Sequence, residues 1–191
     1  MAQMIPETGQ DPSLAEVHIA IKPFDSAMNR AAFLCSEPEL TNYFIGTGSQ
    51  PRTLEHDLKM NATTAHVMVD RVTDEILGFF TLSNQSIPRS HLPTNNLQRS
   101  QNPEISTTLL GRMAVCQKLA GKGYGKRLLM AALATAHKGA TYSASAAVVV
   151  DPKKDDLVGF YAKFQFIQLK NPEKPLRMFL PMKTVAMLLS S

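Results

Sequence analysis

Residues 109–129 read LLGRMAVCQKLAGKGYGKRLL, and inside them the run AGKGYG at 120–125 sets three glycines at every second position directly before a helical stretch. The segment ahead of it, TTLLGRMAV, has strand character, and its interior Gly111 predicts a bulge or a close approach by another group. Behind it, Leu128, Leu129, Ala132, Leu133 and Ala136 fall on one helical face, with Gly139 as the terminator. A bulged strand running into closely spaced glycines and a helix N-terminus makes an anion site, because unpaired N–H groups converge there and the helix dipole favours negative charge. Glycine permits positive φ and lets the backbone approach a phosphate with no Cβ in the way. From the glycines alone two readings stand: a pyrophosphate cradle, or a tight turn whose glycines only connect and cap. The G-x-G-x-G spacing is not the dinucleotide-binding G-x-G-x-x-G, and no G-K-[ST] follows.

Working outward, SASAAVVVD is a short, continuously apolar strand of the kind buried on both faces. DDLVGFYAKF reads as a helix, RMFLPMK as a last strand, and TVAMLLSS as a short helix or a frayed end. Upstream, EVHIAIKPF alternates Val17, Ile19 and Ile21 against polar neighbours, and EPELTNYFI carries Leu40, Phe44 and Ile45 on a helical stripe with Pro38 in the first turn. AHVMVDRVTDEILGFFTLS reads as a hairpin turning at Thr73, Asp74 and Glu75. Residues 84–106, NQSIPRSHLPTNNLQRSQNPEIS, contain three prolines and several amides and are expected to form a long loop. The order β-α-(α)-β-β-loop-β-α-β-α-β predicts an α/β (α+β) fold, one mixed central sheet flanked by helices. Residues 16–185 are expected to form a single domain, with 1–15 a flexible arm and 186–191 a tail.

Composition narrows the function classes. A chain of 191 residues, 44% hydrophobic and 19% charged, supports one sizeable core. No segment reaches the roughly 20 apolar residues of a membrane span, and the N-terminus lacks signal-peptide regions, so a cytoplasmic protein without a membrane partner is expected. Cys35 and Cys116 lack paired spacing, and the five histidines are isolated, so no metal is expected. A net charge of +4 is mild and decides little about nucleic acid.

LLGRMAVCQKLAGKGYGKRLL resembles the acetyl-CoA loop of the GNAT N-acetyltransferases, and DDLVGFYAKFQF resembles their downstream FYxxFGF helix and strand. FLCSEPELTNYF, ILGFFTLS, LLGRMAV and RMFLPMK make the chain most similar to the GNAT toxins of bacterial type II toxin–antitoxin modules, over nearly all of residues 17–184. Two positions depart from the pattern. Ala120 stands where the family carries Gln or Arg, and Phe164-Gln165-Phe166 replaces Phe-Gly-Phe.

The resemblance implies an acetyltransferase with acetyl-CoA as donor, its phosphates gripped by Ala120, Gly121, Lys122, Gly123, Tyr124, Gly125 and Lys126. It implies that the backbone of Met113, Ala114 and Val115 pairs with the pantetheine arm, with the amides near Val115 polarising the thioester carbonyl. Tyr161 taken alone reads as a core aromatic; the resemblance makes it the general acid for the departing thiolate. Direct transfer needs a neutral amine, and between Ile76 and Val115 the only acid is Glu104, so a ready base is scarce. That scarcity suits an α-amine, and the toxin resemblance implies the aminoacyl group of a charged tRNA. Arg89 and Arg99, with His91, are candidate tRNA contacts, and Lys118, Lys122, Lys126, Arg127, Lys153 and Lys154 are expected around the cofactor cleft; the alternative is a solvated surface. The resemblance further implies a ribbon-helix-helix antitoxin and a homodimer. Two other readings remain open at this point: acetylation of a small-molecule or protein amine, and a non-catalytic CoA-binding regulatory module.

Overall fold

The computed structural model describes residues 18–46, 52–93 and 100–190. The expected arm at 1–15 lies outside these residues, as does Arg99. Seven strands form one sheet in the order β1-β2-β3-β4-β5-β7-β6. They are β1 (Ile19–Pro23), β2 (Thr64–Asp70), β3 (Ile76–Pro88), β4 (Glu104–Val115), β5 (Ala147–Val150), β6 (Ile167–Gln168) and β7 (Met178–Pro181). Every pairing is antiparallel except β4 with β5. The helices are α1 (Pro38–Ile45), α2 (Leu54–Lys59), α3 (Tyr124–Gly139), α4 (Asp155–Ala162) and α5 (Met182–Ser190).

The periodicity expected of α3 is realised in the packing, whereas that of β1 is not: Ile19 is half-buried and Ile21 exposed on this edge strand, and Val17 lies outside the described residues. All five predicted face residues of α3 are buried, and they join Leu77, Phe80, Val148, Val150 and Leu180 in the largest apolar cluster, on one side of the sheet. A smaller cluster gathers Phe33, Tyr43 and Phe44 from the chain around α1 onto Phe79 and Ala114. There Phe44 stacks on Phe79 with ring centroids 4.3 Å apart and planes 14° apart. β5 is buried on both faces, Val148 and Val150 toward α3 and Ala147 and Val149 toward a third cluster with Ile87, Ile105 and Phe179. Cys35 and Cys116 are free thiols, both buried.

Three elements depart from expectation. Strand enters the expected loop at 84–106 from both ends: β3 continues to Pro88 and β4 begins at Glu104, paired from Asn84↔Thr108 through Pro88↔Glu104. Short polar side chains hid a ladder whose buried apolar members are Ile87 and Ile105, with Thr107 and Thr108 buried beside them; Pro88 is tolerated because it closes the strand. α5 carries Val185 into the large core and runs on to Ser190, so the expected boundary at 185/186 falls inside a helix. β6, a two-residue strand on the sheet edge, is missing from the element order read from the sequence, although the FYxxFGF resemblance implies a strand after that helix.

Candidate active site

β4 and β5 pair only at Thr108↔Val148, Leu109↔Val149 and Leu110↔Val150. Beyond Leu110 they diverge, and β4 runs on to Val115 attached to β3 alone. The divergence starts at a bulge: Thr81 faces Arg112 while Leu82 faces Leu110, which leaves Gly111 unopposed. A Cβ at Gly111 would come within 3.3 Å of Thr81 Oγ1, the atom that accepts the Arg112 amide at 3.0 Å. The Cys116 amide donates to the Leu77 carbonyl at 2.8 Å. Backbone groups alternate along an antiparallel ladder, so Met113 and Val115 turn their amides and carbonyls to the opposite edge, toward the gap.

A cavity of about 360 Å³ occupies that gap, lined by Gly111 through Val115, Ala120, Lys154 and Tyr161. Tyr161 is 8% exposed, edge-on to Phe160 and Phe166 at 5.1 and 5.3 Å. Burial pushes its phenol up to about 12, so it stays protonated across the neutral range. It is a core aromatic by its ring and a cavity group at once. Its placement depends on how α4 ends: Gln165 N donates to Ala162 O at 3.0 Å and Phe166 N to Tyr161 O at 3.3 Å, a Schellman arrangement around Gln165 at φ +66. Glutamine here adopts the left-handed conformation that the family's glycine takes without strain.

At the mouth of the gap, Gly121 and Gly123 have φ of +75 and +83, and a Cβ at Gly121, Gly123 or Gly125 would meet nothing within 4 Å. The first two glycines are needed for their dihedrals, and all three leave the outer face of the loop bare. Among the described residues, the amides of Gly121, Gly123, Tyr124 and Gly125 find no acceptor, and α3 has neither a side-chain cap nor an acid in its first turn. Such a cluster of free donors at a helix N-terminus fits a pyrophosphate, and the bare β4 edge leading from it to Tyr161 fits an extended amide-bearing arm. Lys122 and Lys126 stand exposed beside it. Ala120 lines the cavity, and with alanine there in place of Gln or Arg the backbone donors of the following glycines remain free. Lys118 is committed elsewhere, paired with Glu75 of the β2–β3 turn.

A second cavity of about 710 Å³ adjoins the first and shares Glu39, Leu40, Gly111, Arg112, Asp151 and Lys153 with it. Its further walls are Tyr43, Arg52, Leu109, Leu176 and Arg177. Acids are therefore present at the site. The 76–115 window missed them because they arrive from α1 and from the end of β5. Both are engaged: Glu39 with Lys153, and Asp151 with Lys174 at 2.9 Å and with both arms of Arg177 at 2.5 and 2.6 Å. Burial alone would raise the Asp151 carboxyl, but the hydrogen bonds and charges of Arg177 and Lys174 outweigh it and hold it below the ordinary carboxylate range. Glu37 pairs with Lys154, so two exposed ion pairs join the start of α1 to the loop before α4.

Arg89 lies at the far end of β3, just after Pro88. It lines neither cavity, and its guanidinium donates to the Ser100 carbonyl, closing the base of the β3–β4 connection. Arg112, Tyr43 and Asp57 went unnoticed in the sequence, since strand and helix periodicity explained two of them and Asp57 lies in a six-residue helix. Among the described residues there is no cluster of three metal-ligating side chains, and no helix is long and apolar enough to cross a membrane.

The parallel β4–β5 pair that splays at a bulge, above free amides at a helix start, is matched by a family model. Residues 36–166 match the Acetyltransferase (GNAT) family. The chain belongs to that family. It is an acetyltransferase, and its acetyl donor is acetyl-CoA. It is 28% identical over 178 residues to the "Probable toxin TacT" of Sinorhizobium fredii, covering 88% of this chain and 94% of that one. It is 30% identical over 108 residues to the "tRNA-acetylating toxin" of Mycobacterium tuberculosis, covering 56% of this chain and 63% of that one. Its fold matches the solved structure "AtaT complexed with acetyl-methionyl-tRNAfMet" with a TM-score of 0.79 at 20% identity, over 90% of this chain and 99% of that one.

Proposed function

We propose that this GNAT acetyltransferase acetylates the α-amino group of an aminoacyl-tRNA and so blocks translation, as the toxin of a type II toxin–antitoxin pair. The observation that carries the reading is the state of the acceptor cavity: both carboxylates that line it are held in ion pairs, so neither is a free base. An acceptor suited to such a site arrives already neutral. A lysine side chain near 10.4 does not, whereas roughly a fifth to a third of an α-amine near 7.7–8.0 is neutral at physiological pH. The names of the two relatives and of the AtaT complex point the same way.

Acetyl-CoA supplies the activated acetyl group. On this reading the free amides of 121–125, with Lys122 and Lys126, hold its phosphates, and Met113 and Val115 present backbone groups to its arm. The Val115 amide, turned off the β3 edge, donates toward the thioester oxygen. The amine nitrogen bonds to the acetyl carbon and the carbon–sulfur bond breaks. Tyr161 gives its proton to the sulfur, and the proton lost by the amine makes up the balance. A cytoplasmic homodimer neutralised by a ribbon-helix-helix antitoxin completes the proposal; the solved "KacTA-DNA complex" supports a partnered assembly.

The test is direct. Incubation with labelled acetyl-CoA and a panel of charged tRNAs is expected to yield N-acetyl-aminoacyl ends on at least one of them. A blank across the whole panel, alongside ready transfer to a small amine or a protein terminus, would refute the reading.

A further inference from the structure

Arg112 lines both cavities at the point where they meet. It follows the bulge residue, and its main chain is pinned by the bond to Thr81. Its guanidinium lies 3.7 Å from the centroid of the Tyr43 ring and 3.5 Å from Asp57 Oδ2, while the Tyr43 hydroxyl donates to that same Asp57 oxygen at 3.0 Å. Burial pushes the Tyr43 phenol above its ordinary range and the Asp57 charge adds to the effect, so tyrosine remains the donor in this pair. α1 and α2 thus hold one face of the guanidinium by stacking and steer one edge by charge.

What they leave open is more telling. A guanidinium has five N–H donors, and among the described residues none of those on Arg112 makes a hydrogen bond. The side chain is still 32% exposed, into the shared space. Of the neighbouring cations, Lys153 is held by Glu39 and Lys174 and Arg177 by Asp151, while Arg52 stands exposed on the wall of the acceptor cavity away from the neck. A rigid, oriented cation with uncommitted donors at the neck between donor and acceptor is built to receive an oxygen from the acceptor.

We propose that Arg112 binds the carbonyl oxygen of the acceptor's aminoacyl ester and so sets the adjacent α-amine on the donor side of the neck; this rests on the aminoacyl-tRNA reading above. The carbonyl is bonded to the carbon that bears the amine in every aminoacyl ester, whatever the side chain. A donor that fixes it therefore positions the reacting nitrogen without reading the amino acid. Near-attack placement needs the nitrogen about 3–3.5 Å from the acetyl carbon, and a planar fork constrains that placement where a lysine ammonium would not.

The experiment compares wild type, Arg112→Gln and Arg112→Lys with an accepted aminoacyl-tRNA and with an analogue whose ester carbonyl is reduced to a methylene. Arg112→Gln is expected to lower kcat/KM for the ester by on the order of 10- to 100-fold, with Arg112→Lys close to it. The Kd for acetyl-CoA and the melting temperature should hold. Wild type should lose a similar factor on the analogue, and Arg112→Gln should lose little more there, since both changes remove one contact. The slope of log kcat/KM against log salt should be the same for wild type and variant. A slope shallower by about 0.7–0.9 would mean that Arg112 meets a phosphate instead and would overturn the proposal. So would Arg112→Gln within twofold of wild type, a parallel loss of acetyl-CoA affinity, or an analogue turned over as fast as the ester. If the variants do not fold, the wild-type comparison decides the matter once each rate is divided by the neutral fraction of its amine, because removing the carbonyl raises that amine's pKa. A wild type that acetylates no aminoacyl-tRNA overturns the functional reading and this role with it, whereas an active wild type with indifferent variants overturns the role alone.

Discussion

At the scale of single residues, Tyr161 shows how one side chain meets two demands. Its ring packs against Phe160 and Phe166 while it lines the donor cavity, and the burial that makes it a core residue also raises its phenol to about 12. Below pH 10 it is protonated whether the chain is folded or not. Between 10 and about 12 the unfolded chain ionises first, so the folded state loses stability across that window only. Two results are expected for activity: wild-type kcat shows no basic limb from this group up to pH 10, and Tyr161→Phe lowers kcat by about 10²-fold or more with unchanged affinity for acetyl-CoA. Calorimetry beside a pH profile checks both. The role proposed for Tyr161 was legible only through the family pattern, since spacing alone fitted a core aromatic equally well. Arg112 was not legible at all. Its sequence neighbours mark a strand, and its partners Tyr43 and Asp57 lie 69 and 55 positions upstream.

At the scale of elements, the glycine run was legible because its demands are local. Two positive dihedrals and an uncapped helix start follow from residues that are adjacent in the chain. The β3–β4 extension was not, because short polar residues carry no period-two signal where one face is thinly covered, and only the register with the partner strand reveals it. The end of α4 lies between these cases. Gln165 breaks the family's Phe-Gly-Phe, yet the backbone takes the turn regardless, at the cost of a left-handed glutamine. That conformation costs roughly 1–2 kcal/mol in an L residue, partly offset by the greater freedom a glycine has when unfolded. Gln165→Gly is therefore expected to stabilise the protein by about 0.5–1 kcal/mol and to raise Tm by roughly 1–4 °C, with acetyl-CoA affinity unchanged. A calorimetric scan showing no gain or a loss would mean that the turn stores no strain.

At the scale of the molecule, the two faces of the sheet support different parts of the proposed site. The large core under α3 supports the glycine loop, while the smaller aromatic cluster under α1 supports Tyr43 and the acceptor wall. Phe44, fully buried against Phe24, Phe33 and Phe79, is the keystone of the second. Phe44→Ala is expected to cost about 3–5 kcal/mol in urea unfolding. In the folded fraction it should raise KM for the acceptor well beyond any change in Kd for acetyl-CoA; an equal rise in both would show that the faces are not separable. The partition itself descends from Gly111. Side chains alternate between the faces of a strand, and one unopposed residue inverts that alternation for everything after it. Leu110 packs beneath α3, yet Arg112, Ala114 and Cys116 go to the α1 side, while Met113 and Val115 take over beneath α3. Pressing this glycine into the ladder as a paired residue would exchange the two sides of everything after it, driving a guanidinium into the leucines of α3 and leaving the tyrosine of α1 without its cation, so both substrates' sites depend on one residue being left out of the count.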